Sequence, residues 1–213
     1  MQKVIENAIT FVKNFFENEC SGHDYFHTMR VYKTAVEIAK KEGGSVPITA
    51  LIALLHDVDD IKISPNTCAN KDNARGFLKA NGIDEETIDL ICNGINEISY
   101  KGNESTAAST IEAQIAQDAD RLDAIGAIGI ARAFAYGGNH NRVMHNPDEK
   151  PRLNMSESEY RNHVSTTINH FYEKLFRLTN LMNTRTAIEM ARARESYMRE
   201  YVEEFLKEWE GIQ

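Results

Sequence analysis

The run TALIALL, from Thr49 to Leu55, is apolar on nearly every side and ends in the pair His56-Asp57. A helix of that pattern has no polar face to turn toward water, so other helices must surround it. Its end then carries an imidazole and a carboxylate at the edge of a buried element, which is costly unless something compensates the charge. A divalent cation would compensate both groups. The alternative is a plain helix end, where the aspartate turns the chain and the histidine binds a carbonyl.

Two further segments bear on that choice. In SGHDYFHTMRVYKTAVEIAKK, His27, Val31, Thr34, Ala35 and Ile38 form one helical stripe, while Arg30, Lys33, Glu37 and Lys40 or Lys41 take the other side. His27 therefore points inward, as a ligand or as a satisfied core residue, and His23 is a candidate cap for the helix start. In AQIAQDADRLDAIGAIGIARAF, the residues Asp118, Asp120 and Asp123 read as the opening of a helix rich in Ala, Gly and Ile. There they act as N-terminal caps and dipole partners, or as ligands.

Written as His27, His56-Asp57 and Asp120, these residues resemble the H…HD…D ligand set of the HD-domain metal-dependent phosphohydrolases. The motifs that carry the resemblance are GHDYFHTMRV, ALLHDVDDIK and QDADRLDAIGAIGIAR. They are most similar to a bacterial subgroup of small stand-alone HD hydrolases that includes nucleotide pyrophosphohydrolases. The likeness continues through INHFYEKLFRL to Trp209, so it covers nearly the whole chain. It implies an all-α HD fold, one divalent metal held by His27, His56, Asp57 and Asp120, and hydrolysis of a small phosphorylated substrate, a nucleotide. In HD domains the final aspartate stands in an AD-x-L context, which selects Asp120 and leaves Asp118 as the alternative.

Two imidazoles and two carboxylates suit a borderline or hard divalent ion, so manganese, magnesium, cobalt, nickel and iron all fit. A structural zinc site fits less well, because no close Cys/His spacing is present. Cys20, Cys68 and Cys92 are scattered, form no CxxC, and read as thiols of a reduced protein. HD proteins with two irons carry extra histidines between the HD pair and the last aspartate. The seven histidines here are residues 23, 27, 56, 140, 145, 163 and 170, so that set is missing. A mononuclear phosphohydrolase is expected rather than an oxygenase.

Hydrolysis also needs a base. Asp60 follows His56 by one helical turn and, if the helix continues briefly, shares its face within reach of a water at the metal. Related HD nucleotidases carry a carboxylate at the equivalent place, so the resemblance implies the same role. The other reading makes Asp59 and Asp60 a solvated turn. With 32 Asp and Glu against 24 Lys and Arg, a general nucleic-acid surface is not expected, and substrate phosphates must meet a few local cations. Lys62, Lys71, Arg75 and Arg121 lie near the motifs. The stretch AYGGNHNRVMHNPDEKPRLN adds Arg142, His145, Lys150 and Arg152 on a long loop, 137 to 156, read as a lid or binding loop or as a mobile connection. Its Gly137-Gly138 pair reads as a helix stop.

The 213 residues, 42% hydrophobic, suffice for one domain with a sizeable core: an HD-type core of about 20–136 and a helical extension of about 157–209. No stretch approaches a membrane span, the N-terminus is unlike a signal peptide, and a cytoplasmic location is expected. Apolar residues recur at helical spacing, as in Ile88, Ile91, Ile95 and Ile98, then Tyr160, Val164, Phe171, Leu175 and Leu178, then Ala191, Met198, Tyr201, Phe205 and Trp209. Strand alternation is nowhere sustained. The expectation is an all-α bundle of about eight or nine helices, ending in two long amphipathic ones, 157–182 and 184–209. These pack on the core or form a homodimer seam. The function expected is cleavage of a nucleoside triphosphate to monophosphate and pyrophosphate. The alternatives are a 5'-nucleotidase or other HD phosphoesterase, and a non-catalytic sensor of metal and nucleotide.

Overall fold

The computed structural model describes residues 1–17, 24–100 and 105–212, except for the side chains of Glu157, Tyr160 and Arg161. His23 and Cys20 lie outside the described residues. Among the described residues every regular element is helical. The chain divides into two compact units, one of residues 1–99 and 106–120, the other of residues 100–105 and 121–213.

The first unit is built around α3 (Val46–Leu55), whose residues Ala50 to Leu55 are all fully buried. Each Leu or Ile removed from water in this way contributes roughly 1.5–3 kcal/mol. Helices α1 (Gln2–Phe15), α2 (Tyr25–Glu42) and α5 (Glu85–Asn96) pack against α3, and α4 (Asp72–Ala80) packs on α5. Helix α2 begins where Asp24 Oδ1 accepts the His27 N–H at 2.7 Å, and its expected inward stripe of His27, Val31, Ala35 and Ile38 is buried. At the α3–α5 crossing a Cβ on Gly94 would stand 2.7 Å from Ile52 Cδ1, so any larger residue there would have to displace the end of that side chain.

Helix α6 (Ile111–Asp123) fixes its own direction by a contact at each end. Near its start the Glu112 carboxylate accepts the Ser45 N–H at 2.8 Å, beside the start of α3. Farther along, an Asp120 oxygen lies 3.9 Å from the His56 imidazole, at the end of α3. The segments from Ser45 to His56 and from Glu112 to Asp120 span about 16 and 12 Å at the helical rise, so the two helices run the same way. The expectation that Asp118, Asp120 and Asp123 open a helix is therefore wrong. They occupy the second half of α6, and α7 (Gly126–Asn139) starts only after them.

In the second unit α10 (Arg185–Trp209) packs on α7 and on a 3-10 helix, Leu175–Leu181. Phe134 of α7 sits at ring-centroid distances of 6.2, 6.0 and 5.9 Å from Phe171, Tyr201 and Phe205. A single helix over 157–182 is not what forms. The segment breaks into α8 (Glu157–Asn162), α9 (Thr167–Glu173) and the 3-10 helix. The run Ser165-Thr166-Thr167 is the cause, because Thr166 leaves helical geometry and its hydroxyl caps the Asn169 N–H. Val164, expected in the apolar stripe, is 72% exposed as a result.

Helix α7 ends at Asn139, directly after the Gly137-Gly138 pair that reads as a helix stop. Gly137 also allows close packing, since a Cβ there would collide with Thr167 Oγ1. The connection then runs from 140 to 156 and is held along its length. Val143 and Met144 carbonyls accept the first N–H groups of α9 at 3.1 and 2.9 Å, Asn169 donates to the Glu149 carbonyl at 2.9 Å, and Arg177 to Leu153 at 2.7 Å. Those first-turn amides have no partner inside their own helix, so the loop is pinned by supplying one.

Candidate metal centre

His27 stands in the first turn of α2, His56 caps the C-terminus of α3, Asp57 follows it, and Asp120 lies in the last turns of α6. Because α2 and α3 form an antiparallel pair and α6 runs alongside α3, these helix ends meet. His27 and His56 are buried, with rings at a 5.3 Å centroid distance and 70° to each other. His27 Nε2 is 3.4 Å from Asp57 Oδ2 and 3.5 Å from Asp120 Oδ1. His56 Nε2 is 3.2 Å from Asp57 Oδ2.

The protonation of His56 follows from its second nitrogen. Nδ1 lies 2.8 Å from the Ala53 carbonyl, which only accepts, so Nδ1 carries a proton. In the neutral ring Nε2 is then an open lone pair. It is buried, and its approach to Asp57 lacks the alignment of a hydrogen bond. Burial by itself pushes this imidazole down, but Asp57, with Asp120 behind it, overrides burial and brings it up to about 9. The cluster therefore calls for positive charge. Asp120 adds to that call, since a carboxylate in the last turns of a helix faces the negative end of the dipole.

The donor set passes the test for a divalent ion. One ligand atom each from His27, His56 and Asp57 lies within 4.8 Å of the others, and an Asp120 oxygen stands beside both imidazoles. Bonds of about 2.0–2.2 Å to a shared ion put neighbouring ligand atoms about 3–3.5 Å apart, close to the separations seen. From α6 it is Asp120 that has a carboxylate oxygen 3.5 Å from His27 Nε2, and Asp118 of the same helix is fully buried.

Helix α3 does not continue to Asp60. The chain turns from His56 onward, with the Asp60 N–H on the Asp57 carbonyl at 3.0 Å. Asp60 therefore does not share the helical face with His56 that its spacing predicts, and instead closes the turn that begins at Asp57. Its Oδ1 accepts the Lys62 N–H at 2.8 Å. Asp59 is not solvated, being 1% exposed with both oxygens on backbone N–H groups. Sequence reading missed it. No local signal marks it, because the amides it caps open α4 after Lys71, which has no capping side chain of its own.

The proposed cations fall in both units. Lys62 is exposed on the Asp60 turn, and Arg75 pairs with Asp89 at 2.7 Å. Arg121, Arg142 and Lys150 belong to the second unit. There Arg121 is buried and donates to the Leu181 carbonyl, Arg142 lies 5.2 Å over the Tyr136 ring, and Lys150 is exposed. Cys92 is a buried free thiol that burial pushes up to about 11, and Cys68 is also free, so neither resembles a metal thiolate.

The HD-domain family model matches residues 24–125, a span that contains His27, His56, Asp57 and Asp120. YpgQ of Bacillus subtilis, an uncharacterized protein, is 34% identical over 99% of this chain and 96% of its own length. The chain belongs to the HD-domain family. Solved structures agree with this HD assignment. A Lactobacillus plantarum protein superposes with a TM-score of 0.88 at 37% identity, covering 99% of each chain. An HD-superfamily hydrolase from Bacillus thuringiensis does so with a TM-score of 0.79 at 40% identity over 98% of each. YpgQ in complex with ADP has a TM-score of 0.76 at 32% identity, covering 98% of this chain and all of its own. Among the described residues of this HD protein no helix is long and apolar enough to cross a membrane.

Proposed function

We propose that this HD protein is a metal-dependent phosphohydrolase that cleaves a nucleoside triphosphate to the monophosphate and pyrophosphate. The observation that carries the hydrolase reading is the buried convergence of His27, His56 and Asp57, with Asp120 3.5 Å from the first imidazole. The likeness to an HD-superfamily hydrolase and to a relative crystallised with ADP supports phosphate chemistry on a nucleotide. The choice of triphosphate rests on the family resemblance.

A divalent ion held by His27, His56, Asp57 and Asp120 would polarise a phosphoryl oxygen and lower the pKa of a water beside it. The chain's own residues supply the rest. His56 binds through Nε2 because Ala53 holds its Nδ1 proton. Asp60 has Oδ1 engaged by Lys62, so Oδ2 is the atom that accepts the proton of the attacking water. The water oxygen bonds to the α-phosphorus as the bond to the β-phosphate bridge breaks, and pyrophosphate leaves. Lys62, exposed on the same turn, meets the charge that develops.

Phosphorus NMR of the native chain with manganese and deoxynucleoside triphosphates tests this, with Asp57→Ala alongside. Pyrophosphate and monophosphate formed by the native chain alone are expected. Orthophosphate from monophosphates would replace the reading with a 5'-nucleotidase, and product from Asp57→Ala at the native rate would remove the metal mechanism.

A further inference from the structure

Hydrolysis as just described gives Asp59 no chemical role, yet this carboxylate is 1% exposed and fully engaged. Its Oδ1 accepts the Asn73 N–H at 3.1 Å and its Oδ2 accepts the Ala74 N–H at 2.9 Å. These are first-turn amides of α4, which lack partners within their own helix. The residue at the usual cap position, Lys71, has a left-handed backbone with φ of 58° and no capping side chain. Helix α4 therefore takes its cap from the turn that follows the metal ligands. Asn73 answers in the other direction, its Nδ2 donating to the Val58 carbonyl at 2.9 Å and to Thr67 Oγ1 at 3.1 Å.

The turn itself needs such support. Its first backbone bond, from the Val58 N–H to the Leu55 carbonyl, is long at 3.4 Å, and helical bonding ends at Leu55. Asp57 and Asp60 both ride on this turn, so their aim depends on whatever holds Val58 and Asp59. A carboxylate is required at 59 because both incoming groups are N–H donors. An asparagine there would turn its own NH2 toward one of them.

We propose that Asp59 and Asn73 are positioning residues of the metal centre, a reciprocal staple that fixes the His56–Asp60 turn to the start of α4 and so aims Asp57 and Asp60. This rests on the metal-centre reading above. Partners that orient metal ligands typically carry a tenfold to hundredfold effect on metal affinity or activity, which sets the expected size.

The test uses the full chain and its Asp59→Asn, Asp59→Ala and Asn73→Ala variants. Manganese affinity is read by electron paramagnetic resonance, ligand geometry by the visible spectrum of the cobalt-loaded protein, and turnover by phosphorus NMR. Asp84→Ala is the control, because Asp84 caps α5 in the same manner, accepting the Thr87 N–H and hydroxyl at 2.9 Å each, and touches no proposed ligand. The Asp59 variants should bind manganese ten- to a hundredfold more weakly and shift the cobalt spectrum. Asn73→Ala should do the same by a few fold, while Asp84→Ala lowers only the melting temperature. If Asp59→Ala does not fold, Asp59→Asn and Asn73→Ala carry the test. Lower melting with native manganese affinity and an unchanged cobalt spectrum would reduce the staple to a plain helix cap and overturn the proposal. A native chain that takes up no manganese would instead defeat the metal-centre reading itself, and the staple with it.

Discussion

In the second unit the Asp123 carboxylate lies 2.5 Å from the Arg132 guanidinium. Glu173 Oε1 collects the Arg152 N–H at 3.0 Å and Ser165 and His163 at 3.1 Å each. In the first unit Asp57 and Asp120 converge on two imidazoles, and the carboxylates bring His56 up to about 9 against the effect of burial. Both regions bury carboxylates. In the second unit the partners are cationic and polar side chains of the fold, and in the first the carboxylates face imidazoles, which can exchange a proton. A buried acid with a built-in partner is structure, whereas an acidic cluster balanced by a removable proton is a place for a cation from outside.

The strongest way to break this contrast is to remove a carboxylate from each region. Asp57→Ala should abolish manganese uptake and lower turnover by at least about a thousandfold, measured by calorimetry and phosphorus NMR, because both the ion and its polarisation of the phosphate are lost. If Asp57→Ala still binds manganese like the native chain, the first region is no different from the second. Asp60→Ala should keep manganese affinity and lose about a hundred- to ten-thousandfold in kcat, as expected for a missing general base. Loss of metal from Asp60→Ala would make it a ligand instead.

Arg132→Ala should act on stability alone. It leaves Asp123, 5% exposed, beside an emptied partner position, and removing one partner of a buried pair costs about 3–5 kcal/mol. The low end applies because Arg132 is 28% exposed, and urea unfolding provides the measurement. Unchanged manganese affinity in the folded variant would sharpen the comparison.

Acidity separates the regions by sign. In the metal-free chain the raised His56 contributes stability that is complete below about 6.5 and is lost as pH rises through about 9. Manganese competes with that proton for Nε2, so the melting shift produced by manganese should grow with pH over the same interval. In the second unit burial, with Lys174 and Arg142 nearby, pushes the half-buried His170 down to about 3. Its neutral form favours the native state above about 6.5, and that advantage is lost progressively as pH falls from there toward 3. Melting curves of His56→Ala and His170→Asn against pH check both signs. The smallest effect is expected for Gly137→Ala, about 1–3 kcal/mol from the collision with Thr167, read by thermal melting with metal affinity unaffected.

The residues of the candidate centre were legible because each lies inside a strong local pattern. His27 falls on the inward stripe of α2, and His56-Asp57 ends a helix with no polar face. Asp59 was hidden, since the amides that it caps belong to Asn73 and Ala74 on another helix. The direction of the aspartates on α6 was hidden too. A run of Asp residues looks like a helix start, and only the contacts of Glu112 with Ser45 and of Asp120 with His56 show that it is a helix end.

The helical character of the described residues, the burial of α3 from Thr49 to Leu55 and the candidate donor types could be read from the chain, because apolar spacing and ligand chemistry are properties of neighbouring residues. Tertiary structure decided the rest. It brought Asp120 to 3.5 Å from His27, turned Asp59 into a cap, broke the expected 157–182 helix at Thr166, and pinned the loop from 140 to 156 along α9. Each of these depends on which buried polar group finds its partner from a distant part of the chain, a choice made by packing and invisible to local periodicity.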